Sequence, residues 1–230
     1  MSEKIWHISQ IGAIVIETQT SDSRLYHSAQ DLFVSNYHCR VNIHSRKKGY
    51  ELSPSLPVSQ PDTRILGAGE VARKGKTVLS IDSSAQVFAV RGVTVKSVLE
   101  CFDDLAKGLV EDFGIDINAI SRFYGFTATY KVPTEKKAYE TIAKNLEIPI
   151  LDKFEEIFSE KLWPSELKLA GANLQANSEN WFDISVRPNY ERNDSYIFNI
   201  IYRNVNKEKV IEFMNSSEQR IEQLVKLIDG

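Results

Sequence analysis

The sequence predicts an α+β fold made of two pseudo-repeated halves, residues 1–117 and 118–230, that form one compact unit. Three observations support this prediction. Two blocks recur in the same order about 110 residues apart, as in an internal repeat. Several segments of alternating apolar and polar residues, typical of strands, follow one another in each half. Each half also ends in a long apolar stripe with helical spacing, so we expect one long helix packed on each antiparallel sheet.

The first repeated block pairs Gly12–Leu32 with Gly125–Leu146. Both segments contain a glycine, an alternating run, a helix start and a closing leucine, and they place Ser21 over Thr134 as N-cap residues. The second block pairs Phe88 with Phe198, and Val98–Phe102 with Val210–Met214. An internal duplication explains two blocks in one order, and chance similarity is the alternative.

In the first half, "IWHISQIGAIVIETQ" predicts a strand and Ser21–Phe33 predicts a helix. "YHCRVNIHS" and "YELSP" flank "RKKG", which indicates a hairpin that turns at Gly49. "TRILGAGEVAR", "KTVLSID" and "AQVFAVR" predict three further strands. An apolar stripe from Val95 to Phe113 then predicts a long helix that ends at Gly114.

The second half repeats this order. "AISRFYGFTATYKV" predicts a strand, and Thr134–Leu162 predicts helix with a break near Pro149, because proline cannot continue a helical ladder. "SELKLAGANLQA", "NWFDISVRP" and "SYIFNIIYR" predict strands, and the apolar stripe from Val210 to Ile228 predicts the final helix. A doubly wound parallel sheet is disfavoured, since it needs a helix between successive strands.

This order resembles the duplicated architecture of the TATA-box-binding protein and its helix-grip relatives. The run from Arg122 to Gly125 is also similar to a strand in an uncharacterised, sporadically distributed bacterial family. The TATA-binding family is basic and inserts phenylalanine pairs from an open sheet. This chain has a net charge of −3, and no such pairs map onto it, so the resemblance implies a fold and no function.

The segment "GAGEVARKGKT", Gly67 to Thr77, has two resemblances to a nucleotide site. A Walker A loop needs four residues between its first glycine and Gly-Lys, and the spacing from Gly69 to Gly75 does not provide this. A dinucleotide fingerprint needs a helix after its glycines, whereas an alternating run follows here. We therefore expect two strands that are joined at Lys74 and Gly75.

Composition and motifs give no sign of catalysis. The pI is about 5.9, and no segment is apolar enough for a signal peptide or a membrane span, so a cytoplasmic protein is expected. His38 and His44 would lie about 20 Å apart on one strand, too far to share a metal. Cys101 is interpreted as a packing residue. We predict no catalytic residue, no metal and no cofactor.

Charge is unevenly distributed. The segment 37–92 carries nine Lys and Arg against four acidic residues. Two predicted hairpin tips contain most of this charge and could contact nucleic-acid phosphates, although basic residues at turns also keep hairpins soluble. The residues of the predicted basic tips are Arg46, Lys47, Lys48, Arg73, Lys74 and Lys76.

Two strands of the second half are rich in aromatic residues. "SYIFNIIYR" is apolar on both faces, so one face should meet the long helix and the other needs a further partner. The predicted interaction face consists of Tyr124, Phe126, Tyr130, Tyr196, Phe198 and Tyr202. The leading hypothesis is a non-enzymatic protein that binds a protein partner or forms a homodimer through this face. Nucleic-acid binding through the basic tips and small-molecule binding in a pocket between sheet and long helices are the alternatives.

Overall fold

The computed structural model describes residues 9–10, 14–20, 49–52, 68–82, 85–145, 151–172 and 178–230. Its strands form one antiparallel sheet in the order β3-β4-β5-β6-β2-β7-β10-β9-β8, and β1 pairs with the end of β7. The strands are β1 (Ser9–Gln10), β2 (Ile14–Thr20), β3 (Glu51–Leu52), β4 (Ala68–Lys74), β5 (Thr77–Asp82), β6 (Val87–Gly92), β7 (Ser121–Pro133), β8 (Leu167–Ala170), β9 (Trp181–Pro188) and β10 (Ser195–Asn204).

Two long helices cover one face of this sheet. The described helices are α1 (Val95–Phe113), α2 (Ile117–Ile120), α3 (Ala138–Asn145), α4 (Leu151–Phe158) and α5 (Lys207–Asp229). The α1 helix packs on β2, β5 and β6, and α5 packs on β7 and β10. Because both long helices lie on the same side, we call that side the helix-covered face and the other the opposite face. The predicted α+β class, with long helices packed on an antiparallel sheet, is confirmed.

Local signals account for the ends of α1. The Thr94 hydroxyl accepts from the backbone N–H of Ser97, which satisfies an otherwise free donor of the first turn. Gly114 follows the helix with a φ of 66°, as the sequence predicts. On α5, Asn206 caps the first turn in the same way as Thr94 caps α1.

The pairing register can be compared between the two halves. In the first half Ile16 lies opposite Val90, and in the second half Ala128 lies opposite Ile200. All four residues are buried, so moving Ile16 onto Ala128 and Val90 onto Ile200 preserves both the pairing and the face. The sequence alignment would move Ile16 onto Thr129 instead, and a slip of one residue reverses the face of a strand. The predicted alignment of the first block therefore does not preserve the face of β2, and the duplication stays a prediction.

The predicted hairpin at Lys74 and Gly75 is present. Lys74 pairs with Thr77, and Gly75 has a φ of 59° between them, as expected for glycine at the first position of a type II′ turn. The predicted helix Ser21–Phe33 and the predicted tip at Arg46–Lys48 lie outside the described residues.

The helical segment predicted from Thr134 is shorter than expected. Within the described residues it consists of α3, which begins at Ala138, and α4, which ends at Phe158, and the predicted break near Pro149 lies outside those residues. Thr134 does not cap α3, which begins at Ala138; its hydroxyl donates to Asp229 and accepts from the backbone N–H of Lys136. Asn193, from the connection between β9 and β10, accepts from the Tyr139 backbone N–H at 2.8 Å and caps α3 from outside the helix.

Candidate ligand-binding site

At the β4–β5 tip, two of the basic residues lie close to carboxylates of the same chain. The Arg73 guanidinium donates to both carboxylate oxygens of Glu70, at 3.1 and 3.2 Å. The Lys74 Nζ lies 3.2 Å from the Asp104 carboxylate on α1, while Lys76 is exposed. These contacts reduce the positive potential that the tip offers to a phosphate.

The predicted aromatic interaction face is wrong in its orientation, because all six of its residues lie on the helix-covered face. Five of them are buried and Tyr202 is partly buried. The set is Tyr124, Phe126, Tyr130, Tyr196, Phe198 and Tyr202. They belong to the continuous hydrophobic core that α1 and α5 cover, so they are unavailable to a partner in the folded chain.

Contacts with α5 show why these rings face inward. Phe213 stacks on Tyr202, with centroids 4.3 Å apart and an interplanar angle of 11°, and also contacts Phe126 at 6.0 Å. The Tyr130 hydroxyl bonds to Ser217 Oγ at 3.0 Å. Tyr130 thereby buries its ring while its hydroxyl keeps a partner.

The opposite face of the same strands is more polar. The Thr129 hydroxyl donates to Asn199 Oδ1 at 2.9 Å, and Asn199 Nδ2 donates to Ser185 Oγ at 3.3 Å. These bonds join β7, β10 and β9 in one row across the sheet. The row indicates that this face is suited to partial exposure, whereas the aromatic face is suited to burial.

Cys101 is a packing residue in the structure. It is buried on α1, and the Tyr50 hydroxyl donates to its Sγ at 2.9 Å. Burial raises the pKa of the Cys101 thiol, although the Tyr50 hydrogen bond and Lys74 act in the other direction. A thiol with a raised pKa is a poor nucleophile at neutral pH.

A cavity of about 220 Å³ lies between the last three strands of the sheet and the end of α5. Its lining is aliphatic and aromatic except for one amide side chain. The lining residues are Leu167 and Leu169 of β8, Ile184 and Val186 of β9, Phe198 of β10, Asn145 of α3, and Leu224, Leu227 and Ile228 of α5. The sequence-based alternative of a pocket between sheet and long helix corresponds to this location.

Hydrogen bonds fix the end of α5 above this cavity. Asn145 Nδ2 donates to the Ile228 carbonyl at 2.6 Å. The Asp229 carboxylate accepts from the Tyr196 hydroxyl at 2.8 Å and from the Thr134 hydroxyl at 2.9 Å. Burial, followed by the bond to Asp229, raises the pKa of Tyr196. The helix end is therefore held to β10, to α3 and to Thr134, which follows β7, while apolar side chains beneath it line the space.

The cavity depends on a part of α5 that α1 lacks. The α1 helix has 19 residues and α5 has 23, so α5 has one additional turn when the two are aligned from their starts. Leu227 and Ile228 belong to that turn and line the cavity. The site is thus a feature of the second half rather than of both halves.

The chemistry of the lining favours binding. Leucine, isoleucine, valine and phenylalanine offer contact area, and the Asn145 amide can orient a ligand through a hydrogen bond. None of these side chains can act as a nucleophile or transfer a proton at neutral pH. Within the described ranges, no group of three His, Cys, Asp or Glu residues could hold a metal ion. No helix in the same ranges has the length and apolar character needed to span a membrane.

The sequence predicted a pocket without assigning residues to it, and Phe198, which lines the cavity, was assigned to the interaction face instead. The signals that could have indicated them are the additional apolar pair Leu227 and Ile228 near the chain end and the apolar alternation Leu167, Leu169 in a short strand. Comparison of the chain with protein-family models, curated proteins and solved structures finds no match in any of the three.

Proposed function

We propose that the protein is a non-enzymatic binding protein that holds a small apolar molecule in the cavity between β8–β10 and α5. The observation that carries this proposal is the apolar lining of a space of about 220 Å³. An engineered cavity of ~150 Å³ with a Leu, Ile and Phe lining stays dry and binds benzene. A larger space with the same kind of lining can hold a compact apolar ligand with about one to three rings, or a short branched chain.

The other two hypotheses have less support. Partner binding through the six aromatic residues would require their rings to leave the core, since five of the six are at most 3% exposed. Nucleic-acid binding would depend on a tip where Arg73 and Lys74 already contact Glu70 and Asp104. The cavity needs no rearrangement of the core and no loss of an ion pair.

The proposal can be tested with the uncharged dye N-phenyl-1-naphthylamine, whose emission rises in apolar surroundings. We expect saturable binding to the wild-type chain and a rise in the unfolding midpoint with dye concentration, because a ligand that binds only the native state stabilises it. Leu224→Trp should fill the cavity and abolish the dye signal. Filling a cavity commonly adds about 0.5–2 kcal/mol of stability, so this variant should remain folded.

Ile211→Trp is the matched control, since Ile211 lies on the same helix but not in the cavity lining. It should bind the dye as the wild type does. Equal dye binding by both tryptophan variants would contradict the proposal, as would the absence of saturable binding to the wild type.

A further inference from the structure

The α4 helix, Leu151–Phe158, has an apolar face that the described structure leaves exposed. None of the eight residues is buried. Phe154, Ile157 and Phe158 are 44%, 74% and 61% exposed, and spacings of three and four place them on one side. The Phe154 and Phe158 rings are nearly parallel, at 6° and 6.5 Å, and form one continuous surface. Several large apolar residues grouped on a surface usually indicate a site of contact.

The position of α4 in the chain connects it with the cavity. Asn145, at the end of α3, and Leu167, at the start of β8, both line the cavity, and α4 lies between them in sequence. After α4, the Trp163 ring stacks on Tyr139 of α3, with centroids 5.7 Å apart. The segment that carries α4 therefore starts at one residue of the cavity lining, Asn145, and ends at another, Leu167. The contact between Trp163 and Tyr139 attaches it to α3 shortly before Leu167.

Part of the cavity lining is itself exposed. Leu169 of β8 and Leu227 of α5 are 50% and 77% exposed although both line the cavity. Their exposure indicates that the space opens to solvent between β8 and the last turn of α5. The chain connects α4 to the cavity lining at both of its ends. The apolar side chains of α4 and those of this rim can therefore bury each other's surface.

We propose that α4 is a lid, and that its face of Phe154, Ile157 and Phe158 closes over Leu169 and Leu227 when an apolar ligand occupies the cavity. This inference rests on the proposed function. The ligand supplies the apolar surface that is missing from the open cavity, so closure is favoured in the bound state. The lid would then exclude water and lengthen the residence time of the ligand.

Binding of N-phenyl-1-naphthylamine to the double variant Ile157→Gln/Phe158→Gln tests the lid. Glutamine preserves helix propensity and removes the apolar contacts. We expect the dye Kd to rise about tenfold or more, with an unchanged unfolding midpoint in the absence of dye, since both residues are exposed there. Val110→Gln on α1 is the control, because Val110 is 48% exposed and distant in sequence from the cavity lining, and it should leave the Kd unchanged.

Amide hydrogen exchange provides a second measurement. Dye should slow exchange over residues 151–158 in the wild type and should not do so in Leu224→Trp, where the cavity is filled. Equal Kd values for the wild type and the double glutamine variant would overturn the lid and leave the cavity site intact, as would unchanged exchange over 151–158. If the wild type binds no dye, the proposed function fails and the lid fails with it.

Discussion

Gly92, the last residue of β6, lies against the first turn of α1. A Cβ atom at this position would be 2.8 Å from Val98 Cγ2 and 3.2 Å from Thr77 Oγ1. Carbon atoms prefer ~3.5–4.0 Å, so the added methyl would push the start of α1 away from β6. We expect Gly92→Ala to cost about 1–3 kcal/mol, as for other overpacked core sites. For a chain of this length, 2 kcal/mol lowers Tm by roughly 4–8 °C.

A double-mutant cycle separates this clash from other effects of alanine. Val98 is fully buried, and Val98→Ala alone should cost about 2 kcal/mol for the lost methyl groups and the remaining space. In Gly92→Ala/Val98→Ala the atom that causes the closest contact is absent, so the double variant should cost about the same as Val98→Ala alone. Urea denaturation followed by circular dichroism measures all three variants. If the cost of the double variant equals the sum of the two single-variant costs to within about 0.5 kcal/mol, the reasoning is refuted.

Three further predictions concern the end of α5, alkaline pH and the basic tip. Asp229→Ala should lower the free energy of unfolding by about 2–3 kcal/mol in urea, because the hydroxyls of Tyr196 and Thr134 lose a charged acceptor. Burial and Asp229 raise the pKa of Tyr196 in the folded chain. The contribution of Tyr196 to the free energy of unfolding is therefore fully present below about pH 10, the pKa of an unfolded tyrosine. It is lost by about 1.4 kcal/mol per pH unit as the pH rises towards the pKa of the folded chain. Urea titrations from pH 9 to 11 should therefore show a shallower loss for Tyr196→Phe, and an equal slope would contradict this assignment. Lys74→Ala should change the free energy of unfolding by less than about 1 kcal/mol in the same assay, because its bond to Asp104 is solvent-accessible.

Local sequence patterns predicted helix and turn boundaries correctly where the conformational preference of a residue type matches its position. Gly75 and Gly114 adopt the positive φ values that the turn and the helix end require. The apolar stripe that begins at Val95 gives the start of α1 directly. These features depend on neighbouring residues in sequence, so the sequence contains the information that determines them.

The choice of sheet face was not predictable from alternation alone. In β10 both sets of alternate residues are largely apolar. Periodicity predicts which residues share a face, but it does not predict which of the two faces packs against a helix. The useful signal was Asn199, whose amide needs partners and finds them in Thr129 and Ser185 on neighbouring strands. Those partners are 70 and 14 residues away in the chain, so the polar row is apparent only after the strands are paired.

The start of α3 and the cavity also depend on residues that are distant in sequence. Asn193 caps α3 across a separation of 54 residues, which no local capping rule detects. The cavity exists because side chains of β8, β9, β10, α3 and α5 do not fill the space between them. Side-chain patterns predict burial, but the space left between packed elements depends on their relative positions.

Xenon binding in crystals of the wild-type chain tests the central claim most directly. Xenon enters dry apolar cavities and needs no hydrogen-bonding partner. We expect a xenon peak between Phe198, Ile184 and Leu224, and no peak there in Leu224→Trp. A cavity that holds ordered water under xenon pressure, or one that side chains of the protein fill, would contradict the claim that this site binds an apolar molecule.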